Sequence, residues 1–171
     1  MSVIKQKDQR VAVFIDVQNL YHSAKNIYGA RVNFKEVLKT AVANRHLIHA
    51  WAYVIKTESG EEKPFLEALT KIGIETRIKD LQIFPGGMKK GDWDVGMAID
   101  AIRIAKKVDA VVVISGDGDF ISLLEYLHQV EGIQTEVMAF GRSASQKLKD
   151  TADDFVDLGL DPKKYLIKIN K

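Results

Sequence analysis

Short, continuously apolar runs alternate along this chain with stretches whose apolar residues recur every three or four positions. The first run, Val11 to Asp16, is apolar until its last residue, which predicts a central strand buried on both faces. Asn19 to Ile27 reads as a helix with Leu20, Ala24 and Ile27 on one face, stopped by Gly29. Asn33 is placed to cap a helix through Phe34, Val37, Leu38 and Val42, with Glu36 at the capping-box position. A second strand is expected within His46 to Ile55. A helix from Glu61 to Ile72 follows, with Pro64 in its first turn, Phe65, Leu66 and Leu69 inward, and Gly73 at its end. Ile74 to Phe84 alternates Ile74, Thr76 and Ile78 with Glu75, Arg77 and Lys79, the pattern of a half-exposed edge strand.

Pro85 to Gly91 reads as a loop, and Trp93 or Asp94 opens a helix with Val95, Ile99, Ile102 and Ala105 expected to face inward. Asp109 to Ser115 holds a second fully apolar strand, followed by the turn Gly116-Asp117-Gly118-Asp119. A helix over Phe120 to Val130, a strand over Gln134 to Phe140 and a short helix over Ser143 to Lys149 complete the series. The tail from Phe155 to Lys171 adds a short strand and a peripheral segment. Strand-helix alternation of this kind means a parallel sheet with helices on both faces and right-handed crossovers.

Composition adds bounds rather than direction. The 171 residues suit one domain, expected over 1–171 with a core from about 11 to 158 and 159–171 as a C-terminal extension. A hydrophobic share of 46% and a charged share of 28% are ordinary for a globular chain. A net charge of +2 does not announce a nucleic-acid binder and does not exclude a local basic patch. The absence of cysteine removes disulfides, thiolate zinc sites and cysteine nucleophiles, and fits a reducing compartment. The polar start MSVIKQKDQR lacks a signal-peptide core, and no run is long enough to span a bilayer, so a cytoplasmic protein without membrane contact is expected.

Chemistry should gather where such folds place it, outside the carboxyl ends of the strands. Asp16 closes the first strand, and Asp117 and Asp119 follow the fourth, so adjacent central strands would bring their carboxylates together. Like charges at short range raise one another's pKa unless a cation or proton intervenes. Oxygen ligands without histidine or thiol point to Mg²⁺ or Mn²⁺ rather than zinc. The plainer account of each aspartate alone is a helix cap or turn former, which suits Asp119 best. Asp94 at a helix start can look toward the strand ends, while Asp100 sits within the helix and, if inward, needs a partner. Asn19 could bond a carboxylate or substrate, and serves equally as an N-cap.

Lys89, Lys90, Arg142, Lys147 and Lys149 fall on segments at the same rim and could meet phosphates, although a solvated charged face explains lysines as well. Ser115, Ser143 and Ser145 join them as candidate substrate contacts, Ser143 and Ser145 also as helix caps. Trp93, beside Asp94, is a candidate for stacking on a base, while Trp51 suits core packing. The four histidines show no metal spacing, and no Walker, GxSxG or dinucleotide glycine pattern is present.

The segments FIDVQN (Phe14 to Asn19), KKGDWDVGMAIDAI (Lys89 to Ile102), VVISGDGDF (Val112 to Phe120) and ASQKLKDTADDFVDL (Ala144 to Leu158), in this order, resemble NYN domains and in particular their LabA-like branch. The resemblance spans Val11 to Leu158. It implies a Rossmann-like, PIN-like three-layer α/β/α fold with a mainly parallel central sheet of order 3-2-1-4-5. It also implies metal-dependent endoribonuclease action on RNA, with acids matching Asp16, Asp94, Asp100, Asp117 and Asp119 and an asparagine matching Asn19. Asp16 and Asp117 are then the first choices as direct metal ligands, with Asp94 and Asp119 next, and Asp100 a ligand or a structural acid. Gln18 stands where a glutamate is frequent.

The expected activity is hydrolysis of single-stranded RNA with Mg²⁺ or Mn²⁺. The rival is a non-catalytic RNA- or protein-binding module of the same fold. A haloacid-dehalogenase-like phosphatase fits less well, because Gln18 occupies the place of that chemistry's acid. The alternating edge strand leaves a surface on which a homodimer could pair.

Overall fold

The structure, a computed structural model, describes residues 3–56, 62–87, 89–90 (backbone only) and 92–169. Strand β1 (Arg10–Asp16) is its centre: Val11 to Ile15 are fully buried, alternate side chains feeding the two faces of the sheet. Burying each of these larger side chains stabilises the fold by roughly 1.5–3 kcal/mol. Helix α1 (Val17–Tyr28) follows without a loop and ends at Gly29, whose φ of 57° suits the left-handed cap. Then come β2 (Ala30–Val32), α2 (Phe34–Val42) with Asn33 capping through the Glu36 amide, and β3 (His46–Lys56). Helix α3 (Lys63–Lys71) has Pro in its first turn and leads to β4 (Glu75–Asp80).

The strand expected over Ile74 to Phe84 is broken. After β4 the chain turns away at Leu81, and β5 (Gln82–Ile83) pairs antiparallel with β6 (Lys89–Lys90), so part of the expected loop closes a small hairpin. Helix α4 (Asp94–Ile104) runs into a 3-10 turn (Ala105–Lys107) and β7 (Ala110–Ile114). A 3-10 turn (Gly118–Phe120), α5 (Ile121–Gln129), β8 (Gln134–Ala139), α6 (Gln146–Thr151) and β9 (Asp154–Asp157) follow. The chain ends in α7 (Pro162–Tyr165) and β10 (Leu166–Lys168), which pairs antiparallel with β2.

The six-stranded sheet has the order β4-β3-β1-β7-β8-β9 with every neighbouring pair parallel. Counting only its strands, this is the expected 3-2-1-4-5 with a sixth strand added beyond the fifth. One core lies under α1, α2 and α3 and includes Val13, Ile15, Leu20, Val37 and Leu69. The other lies under α4, α5 and α6 and includes Phe14, Met97, Ala101, Leu124 and Leu148. The architecture is a three-layer α/β/α fold with a PIN-like sheet order. Among the described residues, no helix is long and apolar enough to cross a membrane.

One expected helix face is corrected. Val95, Ile99 and Ile102 of α4 are 72%, 45% and 41% exposed, whereas Met97, Asp100, Ala101 and Ile104 face the sheet. Ala105 is buried as expected. Apolar residues occupy both sides of this helix, so periodicity alone does not separate them. The buried Asp100 decides the orientation: its carboxylate accepts from the Tyr53 hydroxyl at 2.8 Å and pairs with Arg77 at 3.3 Å, which only the sheet-facing side can reach.

Candidate metal centre at the carboxyl edge of the sheet

Strands β1 and β7 are side by side, Ile15 opposite Ile114, so the residues that follow them meet at one edge. Asp16 ends β1 and caps α1: its Oδ1 accepts from the Asn19 amide at 3.2 Å. The capping role that Asn19 could have filled thus belongs to Asp16, and the helix begins two residues earlier than the pattern predicts. Freed from capping, the Asn19 Oδ1 accepts from the Gly116 amide at 2.9 Å and ties α1 to the turn after β7.

Ser115 is fully buried and acts inward. Its hydroxyl donates to Asp16 Oδ2 at 2.9 Å while its oxygen accepts from the Asp117 amide at 3.2 Å. A role for Ser115 as a direct substrate contact is therefore replaced by one in orienting two acids. Asp117 caps the 3-10 turn by accepting from the Asp119 amide at 2.9 Å, so the cap expected of Asp119 is made by its neighbour. Gly116 permits the approach of the next segment: a Cβ there would sit 2.9 Å from the Ala144 Cα, and its carbonyl accepts from the Ser145 amide at 2.9 Å.

From the other side, Trp93 fixes the start of α4. Its indole N–H donates to the Val54 carbonyl at 3.1 Å, and its ring meets Tyr53 edge-on at 5.4 Å. Lys79 lies 5.2 Å over the same ring, and Gly96 leaves room for the indole, since a Cβ there would be 2.7 Å from it. The ring expected to stack on a base is thus already a wedge between α4 and β3.

The result is a convergence of Asp94, Asp117 and Asp119, each offering one carboxylate oxygen, all within 4.8 Å of one another. Asp16 is not in that group; it stands beside it on the wall of the same cavity, with donors on both oxygens. Asp100 is drawn elsewhere, held 5% exposed between Tyr53 and Arg77. Burial pushes the Asp94 carboxyl up to about 7, aided by the charges of Asp117, Asp16, Asp92 and Asp119. Burial also raises Asp16, against the opposing hydrogen bonds from Asn19 and Ser115, with Asp117 and Asp92 adding to the rise. Burial is the larger cause of both shifts and the neighbouring acids the smaller; a divalent cation would offset the two together, and an all-carboxylate donor set suits a hard ion.

The cavity has a volume of about 300 Å³. Trp93, the ring expected to stack on a base, lines it as well, and the cavity's remaining wall comes from Tyr53 and from residues not named as site candidates: Gln18, His22 and Ser23 on α1, and Ile55 and Asp92. Gln18 and His22, like Asn19 and Ser23, are four residues apart and so share a helix face with the asparagine; that spacing was the available signal. Ser143 lines the cavity too, its hydroxyl 2.8 Å from that of Ser23. Arg142 is exposed in the same loop. Ser145 caps α6 through the Leu148 amide at 3.3 Å. Lys149 turns back to the Gly141 carbonyl at 2.7 Å, and Lys147 is exposed. The side chains of Lys89 and Lys90 lie outside the described residues.

Known proteins share this frame. The chain is 28% identical over 161 residues to the low amplitude and bright protein LabA of Synechococcus elongatus, covering 89% of this chain and 85% of LabA. It is 32% identical to VPA0982 of Vibrio parahaemolyticus, a protein of unknown function whose crystal structure superposes with a TM-score of 0.86 over 96% of this chain and 100% of that one. The NYN domain profile matches residues 10–160, from the first residue of β1 to the 3-10 turn after β9. With that match, and with the aspartates gathered at the strand edge, the chain belongs to the NYN domain family, in its LabA-like branch.

Proposed function

We propose that this protein is an Mg²⁺- or Mn²⁺-dependent endoribonuclease. The observation that carries the reading is the convergence of Asp94, Asp117 and Asp119 to within 4.8 Å at the carboxyl edge of the sheet, where Asp94 and Asp117 line a cavity together with Asp16 and Asp119 is exposed. Once ionised, such a cluster of carboxylates repels a phosphodiester unless a cation lies between them. Asp94, Asp117 and Asp119 would hold the ion, and Asp16 adds a fourth carboxylate at its flank. When bound, such a cation supplies Lewis-acid polarisation of a phosphoryl oxygen and a more acidic water.

The chain's own residues do the rest. Ser115 and the Asn19 amide both donate to Asp16 through half-buried hydrogen bonds, and Asn19 Oδ1 ties the turn that carries Asp117 to α1, as supporting partners do in metal sites. Gln18, His22, Ser23 and Ser143 present hydrogen-bonding groups on the opposing wall, suited to a phosphate or ribose hydroxyl. Arg142 and Lys147, exposed beyond that wall, would attract the strand.

The test is incubation of end-labelled single-stranded RNA with the full chain in Mn²⁺, in Mg²⁺ and in chelator. Cleavage is expected with the ions only. Asp94→Asn and Asp117→Asn should lose more than the roughly 10–100-fold typical of changing a supporting residue. Calorimetric titration with Mn²⁺ alone should show binding to the native chain that both variants lose. Ion binding without cleavage of varied RNAs would favour a non-catalytic RNA- or protein-binding module. No ion binding at all would remove the metal centre.

A further inference from the structure

The outward side of α1 leads away from the acid cavity. Gln18, Tyr21, His22 and Lys25, spaced by three or four residues, are all exposed, while Val17, Leu20, Ser23 and Ala24 pack inward. Gln18 and His22 line the cavity, so this stripe begins at the acids and reaches Lys25 after about 10 Å of helix. From Val17 to Tyr28 the helix carries no carboxylate, whereas Asp16, Asp92, Asp94 and Asp117 all line the cavity. A polyanion leaving the metal centre along α1 therefore meets no negative charge on that helix, and a lysine at the end of the stripe. On the inner side of α1 the Ser23 hydroxyl lies 2.8 Å from that of Ser143, which holds the loop of the exposed Arg142 against the same helix.

Tyr21 is the member of the stripe that packing does not explain. It is 50% exposed and belongs to neither core. Its ring is nevertheless held: the His22 imidazole meets it edge-on at 5.5 Å, and the Lys25 ammonium lies 5.7 Å from its centre. The two aromatic rings on the cavity wall itself are already committed. Trp93 donates to the Val54 carbonyl, Tyr53 donates to Asp100, and the two meet each other edge-on. Tyr21 is free to take a ligand. A positioned, solvent-facing ring beside a cation is what single-stranded nucleic acid binds, its bases on the ring and its backbone on the charge.

We propose that Tyr21 is a base-stacking subsite for single-stranded RNA, receiving an unpaired nucleotide beside the scissile phosphate, with Lys25 against a neighbouring phosphate. The strand leaves the metal centre along the outer side of α1. The position of the scissile bond rests on the nuclease reading, whereas stacking on the ring needs no cleavage. The subsite also selects the form of the substrate. A base inside a duplex is covered on both faces by its neighbours and cannot lie on the ring, so paired RNA is excluded from it. Every base has a π-face, so little sequence preference is expected at this position.

Cleavage and binding are read separately to test this. Single-stranded RNA of one sequence, with one abasic position moved stepwise along it, is incubated with the full chain and Mn²⁺. An abasic position one or two nucleotides from the cleaved bond should lower kcat/KM about tenfold, mainly through KM. Tyr21→Leu should show that loss on intact RNA and no further loss on the abasic strand, and Tyr21→Phe, which keeps the ring, should recover most of it. Anisotropy of a labelled strand in Ca²⁺ reads binding apart from turnover: Tyr21→Leu should weaken it about tenfold, and Lys25→Gln should reduce the slope of log affinity against log salt by about 0.7. Mn²⁺ titration and circular dichroism should not distinguish Tyr21→Leu from the native chain. Cleavage to which Tyr21→Leu and every abasic position are indifferent would overturn the subsite and leave the nuclease standing. Binding that depends on Tyr21 without cleavage would keep the subsite and remove the nuclease. Duplex RNA bound as tightly as single strands, no RNA binding at all, or loss of Mn²⁺ binding in Tyr21→Leu would each overturn the subsite.

Discussion

Asp94 is the residue at which fold and site pull in opposite directions. Its carboxyl stands at about 7 in the folded chain, through burial and then the neighbouring acids, against an ordinary value of 3.8. The folded state therefore keeps a proton that the unfolded chain releases between about pH 4 and pH 7, so stability from this group falls as pH rises through that window. Below it both states are protonated and the effect vanishes; above it the destabilisation is complete. Asp94→Asn should consequently raise Tm in chelator by about 2 °C at pH 8, with the gain shrinking toward zero at pH 4. Mn²⁺ should raise the Tm of the native chain and leave the variant almost unchanged. A pH-independent gain would mean that Asp94 is not the group under repulsion. Asp16 illustrates what residue types alone could not settle. Its place after an apolar run marks it as chemical, yet whether its oxygens face an ion or a helix amide depends on where α1 begins, and the structure starts that helix at Val17.

At the scale of elements, the strands were legible and the helix faces less so. A run such as Val11 to Ile15 fits a strand buried on both sides, and strand-helix alternation implies a parallel sheet, while the order of the strands comes from the family resemblance. Helix α4 is the contrary case. Val95, Ile99 and Ile102 on one side and Met97, Ala101 and Ile104 on the other are all apolar, and the pattern alone favours neither side. The sheet takes Met97, Ala101 and Ile104 because Asp100 on that side finds the Tyr53 hydroxyl and Arg77, contacts spanning 47 and 23 positions in sequence that no local pattern encodes. This gives Asp100 a job separate from metal binding, namely seating α4 so that Asp94 at its first turn reaches the strand edge. Asp100→Asn should then lower stability by about 2 kcal/mol, as expected for a weakened buried charge-assisted hydrogen bond, while Mn²⁺ affinity changes by less than about tenfold. Asp117→Asn should show the reverse, losing ion binding at little cost in Tm. Equal loss of ion binding in both variants would return Asp100 to the ligand set.

Across the whole molecule, the buried charges are sorted by the direction of the strands. Among the described residues, Asp16, Asp94, Asp117 and Asp119 gather at the carboxyl edge with no ion pair, whereas at the amino ends charge is matched. There Arg45, just before β3, makes two hydrogen bonds to Glu136 of β8 at 2.8 and 2.9 Å, and also donates to the Val42 and Ala41 carbonyls at the end of α2 and to Gln9 Oε1 at 3.4 Å. Lys5 adds contacts to Glu136 at 3.5 Å and to Asp154 at 3.1 Å. Nothing in the sequence marks this network, because its members are scattered across four segments and each alone resembles a surface charge. Its role is to join α2, β8 and β9 beneath one face of the sheet, and its energy is that of groups with nowhere else to go: removing one partner leaves the other buried and uncompensated. Glu136→Ala is therefore expected to cost about 3 kcal/mol and to lower Tm by about 9 °C. Because the network and the metal centre lie at opposite strand ends, the surviving folded protein should bind Mn²⁺ with unchanged affinity. Loss of ion binding in a variant shown to be folded would mean that the two ends of the sheet are coupled, and that the acids at the carboxyl edge depend for their placement on the whole sheet rather than on the turns that carry them.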